Sequence, residues 1–159
     1  MGYTHYWNFK QNPKDIKDGE KKFKKAVTLL KKCIANVPSE IEYVEYDKNY
    51  EPNKVMVPFK LAGGNGTGEP IFNDDKVCFN GCDGEKDYAH ETCYLALDDA
   101  NDYSFNFCKT AEKPYDVAVC LALLCFKKAF GRDFEYSSDG VETEEYGWVL
   151  AHKIFDEAK

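Results

Sequence analysis

Several stretches of this chain gather residue types that bind ligands or react. The first is its start, MGYTHYWNF, where four of nine residues are aromatic and His5 sits among them. Tyr3, Tyr6 and Trp7 offer flat faces on which a nucleobase would stack, and the same rings would equally fill a core. The second is LAGGNGTGEP. Its glycines would let backbone N–H groups at Asn65, Gly66, Thr67, Gly68 and Glu69 approach an anion closely. No Gly-Lys-Ser/Thr follows, so this is not a phosphate-binding P-loop. No helix opens after it either, so it is not a dinucleotide fingerprint. The third is FCKTAEKPYD, which carries a strand into a helix N-terminus. Free N–H groups and the helix dipole favour an anion there, with Lys109, Thr110 and Lys113 as further donors. Asp116, in the same stretch, would fill that helix end from within.

Two further sets are weaker. Cys78, Cys82, His90 and Cys93 are residue types that zinc prefers, but their spacing matches no standard zinc pattern. Cys78 and Cys93 equally suit small buried strand positions, so no metal and no cofactor is expected. The carboxylates Glu69, Asp74, Asp75, Glu91 and Asp139 fall in loops, where two brought together would make an acid/base pair. Cys108 has no histidine near it in sequence, and neither a Ser-His-Asp pattern nor an HExxH helix is present.

Composition narrows the classes. The chain has 159 residues, 43% of them hydrophobic and 31% charged, which fits a single globular domain over 1–159. A net charge of -7 removes the basic footprint of a bulk nucleic-acid binder. The lysines at 21, 22, 24, 25, 31 and 32 read as the solvated face of a helix. The longest apolar run, VAVCLALLCF, is too short to span a bilayer. No secretory or myristoylation pattern opens the chain, so a cytoplasmic protein with no membrane partner is expected and the seven cysteines read as free thiols.

The elements that must position these residues follow from periodicity. Residues 2–9 alternate with period two, a strand with large side chains on both faces and hence a central one. Tyr3, His5, Trp7 and Phe9 share one face; Thr4, Tyr6 and Asn8 share the other. Asn12-Pro13 reads as a helix start, and Phe23, Val27, Leu30 and Ile34 form its apolar stripe. Further strands are expected at 41–46, 55–61, 77–80, 92–97, 105–109 and 134–137, with Pro58 marking an edge or bulge. Pro114 opens a second helix, apolar all round and therefore wrapped by other elements. Tyr146, Val149, Leu150 and Ile154 mark a third, weakened by Gly147. Short strands and three helices without strict alternation predict an α+β fold, with a mostly antiparallel sheet of about five to six short strands.

Taken in order, MGYTHYW, GTGEP at 66–70, CFNG at 78–81, Glu91-Thr92, FCKTA with KPYD at 107–116, and SSDG at 137–140 resemble a family of small, largely uncharacterised proteins of bacteriophages and bacterial genomes. Against that family's pattern, Glu112 replaces a commonly basic residue, Cys93 a commonly aromatic one, and Cys82 lies in an insertion. The resemblance implies an accessory phage product that acts by binding a host component.

The leading expectation is a non-enzymatic binding protein, in a counter-defence role, that sequesters a small anionic or nucleotide-like signal or a host factor. Its site would combine Tyr3, Tyr6 and Trp7, the glycine loop, Lys109-Thr110 and Asp139. Two alternatives stand beside it: a hydrolase of a phosphoester or nucleotide bond using loop carboxylates, and a protein-binding inhibitor using its acidic surface.

Overall fold

The computed structural model describes residues 3–159; Gly2, expected as the first strand residue, lies outside them. In chain order the elements are β1 (Thr4–Phe9), α1 (Gly19–Ala35), β2 (Glu40–Tyr46), β3 (Pro52–Pro58), β4 (Leu61–Ala62), β5 (Ile71–Phe72), β6 (Lys76–Gly81), β7 (Cys93–Ala96), β8 (Asn106–Lys109), α2 (Asp116–Phe130), β9 (Phe134–Ser138) and α3 (Tyr146–Ala158). The fold is α+β, and every strand pairing is antiparallel.

Among the described residues nine strands form, where about five to six were expected. The difference includes β4 and β5, two-residue pairings with β6 that are too short to leave a period in the sequence. The first long helix also begins later than Asn12-Pro13 suggests. Pro13–Asp15 makes one 3-10 turn. The chain then passes through Asp18 at φ 58, which no helix continues, and α1 starts at Gly19. A side chain at Gly19 would strike the Pro13 carbonyl, so this corner needs glycine.

The strands form three separate groups. β1 is central between β8 and β9, β2 pairs with β3 as an isolated two-stranded ribbon, and β6 pairs with β4, β5 and β7. The central place of β1 matches its alternation. His5, Trp7 and Phe9 turn inward and are almost fully buried, while Tyr6 and Asn8 are half-buried on the other face.

Helix α2 is the axis of the core. Its residues Val117 to Phe126 are all buried, packed between α1, α3 and the inner face of the β1 sheet. Phe126 lies against Phe9, Phe23, Phe130 and Phe134. No helix among the described residues is long and apolar enough to cross a membrane.

Candidate functional site: an acidic cleft over a buried histidine network

Three parts of the chain meet at a cleft of about 480 Å³. One wall is β2, from Ile41 to Tyr46. The opposite wall is the segment from Ala111 to Val117, and Tyr3 with the start of α3 closes the rest. The opposite wall is held by backbone bonds. The Thr110 and Ala111 N–H groups both donate to the Tyr3 carbonyl, at 3.0 and 3.3 Å, and Lys113 N–H donates to the Thr110 carbonyl at 3.0 Å. Ala111 and Glu112 take φ of 52 and 57. Two successive non-glycine residues in this region cost energy, and they persist where the surroundings over-determine them.

The cleft is acidic. Glu42, Glu112, Asp116 and Glu145 line it, against Lys54 and Lys113. Lys54 pairs loosely with Glu42 at 3.9 Å, and Lys113 Nζ is occupied with the Asp87 carbonyl at 2.7 Å. Among the described residues, neither Glu112 nor Glu145 has a cationic partner. Partial burial, the neighbouring Glu145 carboxyl and then the Asp116 charge push Glu112 up to about 7. Burial, reinforced by Asp116, also raises the Tyr3 hydroxyl, so it stays a donor at neutral pH. That hydroxyl oxygen is buried and has no hydrogen-bond partner among the described residues.

Beneath the cleft, Asp116 joins a network that crosses the core. Its Oδ1 accepts from Thr110 Oγ1 at 2.6 Å and lies 2.6 Å from His5 Nε2. The other imidazole nitrogen, Nδ1, lies 2.8 Å from Ser138 Oγ. Trp148 Nε1 and the Gly140 N–H both donate to Ser138 Oγ at 3.0 Å. These two donors fill the lone pairs of the hydroxyl, so its own proton goes to His5 Nδ1. The histidine proton therefore sits on Nε2 and is donated to Asp116.

This assignment decides two chemical questions. Ser138, His5 and Asp116 have the composition of a hydrolytic triad, but the serine oxygen is engaged three times and does not line the cleft. It orients the imidazole; it is not a nucleophile. His5, Asp116 and Cys120 also place one possible metal-ligand atom each within 4.8 Å of one another. A metal on Nε2 would require Nδ1 to carry the proton, and Ser138 has no lone pair left to receive it. The trio is a hydrogen-bond cluster, with Cys120 Sγ 3.7 Å from Asp116 Oδ2.

Of the residues singled out from sequence as ligand-binding, Tyr3 lines the cleft, and so does Lys113, expected as an anion donor, whose ammonium is engaged with the Asp87 carbonyl. Thr110 is fully buried and spends its hydroxyl on Asp116. Lys109 pairs with Thr4 across the strands, and its N–H donates to Glu91 Oε1 at 2.7 Å. Asp139 accepts from the Thr4 N–H at 3.0 Å. Trp7 is 2% exposed, whereas Tyr6 stacks on Phe105 on the outer sheet face. The glycine loop lies elsewhere, against the 81–92 segment. Gly63 N–H donates to Gly68 O, Gly66 N–H to Gly63 O and Asn65 N–H to Thr92 Oγ1, so these donors are turned inward. Thr67, Gly68 and Glu69 are exposed beside them.

The cysteine and histidine set is divided among different contacts. Phe79 faces Cys93 across the β6–β7 pair and Cys78 faces Tyr94. Cys93 is fully buried, Cys82 donates to the Lys60 carbonyl and His90 is exposed. Cys108 sits opposite His5 in the sheet, but burial pushes its thiol up to about 12 and it donates to the Glu91 carbonyl. Sequence reasoning missed Glu112, Glu145, Tyr146 and the His5–Ser138 bond. The available signal was Glu112 itself, an acid beside a helix start read as basic.

No family model, curated protein or solved structure matches this chain.

Proposed function

We propose that this protein is a non-enzymatic binding protein whose ligand carries positive charge and seats in the acidic cleft. One observation carries the reading: Glu112 and Glu145, neither with a cationic partner among the described residues, meet Asp116 on one concave surface, where the two lysines are engaged elsewhere, Lys113 with the Asp87 carbonyl and Lys54 loosely with Glu42. Carboxylates close together in a partly desolvated cleft repel one another and attract a cation more strongly than they would in water. The same field opposes the anionic or nucleotide-like ligand expected from the sequence. Asp116 occupies the start of α2, where such an anion would bind. The resemblance to phage and bacterial proteins supports placing the partner in a bacterial host and the role in counter-defence by sequestration.

Calorimetry with arginine amide, lysine amide, AMP and inorganic phosphate tests this. The two amides are expected to bind, with affinity lost in Glu112→Gln/Glu145→Gln. Binding of AMP or phosphate instead of the amides would overturn it.

A second reading has its own observation. A carboxyl raised to about 7 beside a second carboxyl is poised to exchange a proton at neutral pH. An acid–base hydrolase would lose turnover in Glu112→Gln while retaining substrate affinity.

A further inference from the structure

We infer that the outer edge of β2 receives an extended basic segment of a partner protein by strand addition, with a Lys or Arg side chain reaching Glu112 and Glu145. This rests on the reading of the cleft as a site for positive charge. It adds the backbone half of the recognition.

The ladder of the β2–β3 ribbon fixes which backbone groups are free. Asp47 N–H donates to the Glu51 carbonyl and Phe59 N–H to the Ser39 carbonyl. With the register Ile41 to Val57 and Tyr43 to Val55, the odd-numbered residues of β2 therefore exchange bonds with β3. Glu42, Val44 and Tyr46 turn their N–H and C=O groups the other way. Glu42 shows the direction: its N–H donates to Tyr146 Oη, at the start of α3, at 3.2 Å. Among the described residues, Val44 and Tyr46 have no such partner on that edge. Both line the acidic cleft.

The opposite edge of the ribbon is guarded. The outward positions of β3 are Pro52, Lys54, Met56 and Pro58. Two prolines lack the N–H that a further strand needs, and a lysine discourages pairing. The β2 edge carries no proline. It is an open edge beside a groove, the arrangement by which extended peptides are bound through main-chain bonds, with alternate side chains read by pockets. The carboxylates across the groove select a basic side chain. A second copy of β2 fits poorly, because Glu40, Glu42 and Glu45 of two antiparallel copies would bring like charges together.

The test uses the acetylated, amidated peptides Thr-Val-Lys-Val-Thr and Thr-Val-Arg-Val-Thr, two N-methylated forms of each that block alternate amides, and lysine amide. Affinities are measured by fluorescence anisotropy or calorimetry on the full chain. The peptides are expected to bind at least about tenfold tighter than lysine amide, and one of the two N-methylated forms should lose that gain. Val44→Pro removes the outward N–H without touching a bond to β3; it should weaken the peptides by about tenfold more than it weakens lysine amide. Met56→Pro, on the guarded edge, should change neither. If Val44→Pro fails to fold by far-UV circular dichroism, the N-methylated peptides carry the same comparison. Equal affinity of peptide and lysine amide, insensitive to N-methylation, overturns strand addition and leaves the cleft reading standing. Failure of every cationic probe overturns both. A dimer abolished by Val44→Pro, without peptide binding, assigns the edge to a second copy and overturns the inference.

Discussion

His5 Nε2 and Asp116 Oδ1 lie 2.6 Å apart in the core, from positions 111 residues apart in the chain. The bond ties the central strand to the first turn of the central helix. It also fixes one of the carboxylates that line the acidic cleft, so the core and the cleft share a residue. Asp116 is held by Thr110 and His5 on one oxygen, while its other oxygen approaches Gly147 and Cys120.

The network behind His5 is structural and should respond as such. Ser138→Ala removes the common partner of His5 Nδ1, Trp148 Nε1 and the Gly140 N–H. Leaving buried donors unsatisfied is expected to cost about 2–3 kcal/mol, read as a lower midpoint in urea unfolding. The same assignment expects no adduct at Ser138 with a fluorophosphonate probe. Labelling there by mass spectrometry would make it a nucleophile.

Gly147 occupies a helical position where sequence reasoning saw only weakness. A Cβ at that position would stand 2.4 Å from Asp116 Oδ2. Gly147→Ala therefore gains helix propensity and still destabilises, by about 1–3 kcal/mol, because α3 or the carboxylate must move. Thermal unfolding decides it. A stabilised Gly147→Ala would show that the contact is slack.

The two aromatic faces of β1 should separate cleanly. Trp7 is 2% exposed, and Trp7→Ala is expected to cost about 3–5 kcal/mol. Tyr6 is half-buried against Phe105, and Tyr6→Ala should cost about 1 kcal/mol. Urea titration of both variants measures the difference, and equal losses would contradict the packing.

The raised Glu112 carboxyl gives stability a definite pH dependence. The folded state holds this proton up to about 7, whereas the unfolded chain releases it near 4.5. Between those values the folded state binds more protons, so this group makes stability fall as pH rises through the window and level off above it. Solvent screening at a part-exposed carboxyl limits the effect to about 1 kcal/mol. Denaturation of the wild type and Glu112→Gln at pH 5 and pH 8 should show a smaller decline in the variant. Affinity for arginine amide should rise about tenfold over the same interval, as the carboxylate gains its charge.

The sequence by itself determined the elements that carry strong periodicity. The alternation of β1 announced a central strand, the all-apolar run of α2 a buried helix, and the stripe of α1 its packing face. These are local patterns, and each states on its own which side must leave water. The two-residue strands β4 and β5 carry no such pattern and exist only because β6 lies beside them. The site was illegible for the same reason. Tyr3, Glu112 and Glu145 belong to three segments, and nothing along the chain couples them; they meet because α2 and α3 pack together beside the β1 sheet. The glycine loop and Lys109-Thr110 looked chemically richer in one dimension, but tertiary packing turned several of their hydrogen-bonding groups inward. Whether a polar residue binds a ligand or its own protein depends on what comes within about 3 Å of it, and folding decides that distance.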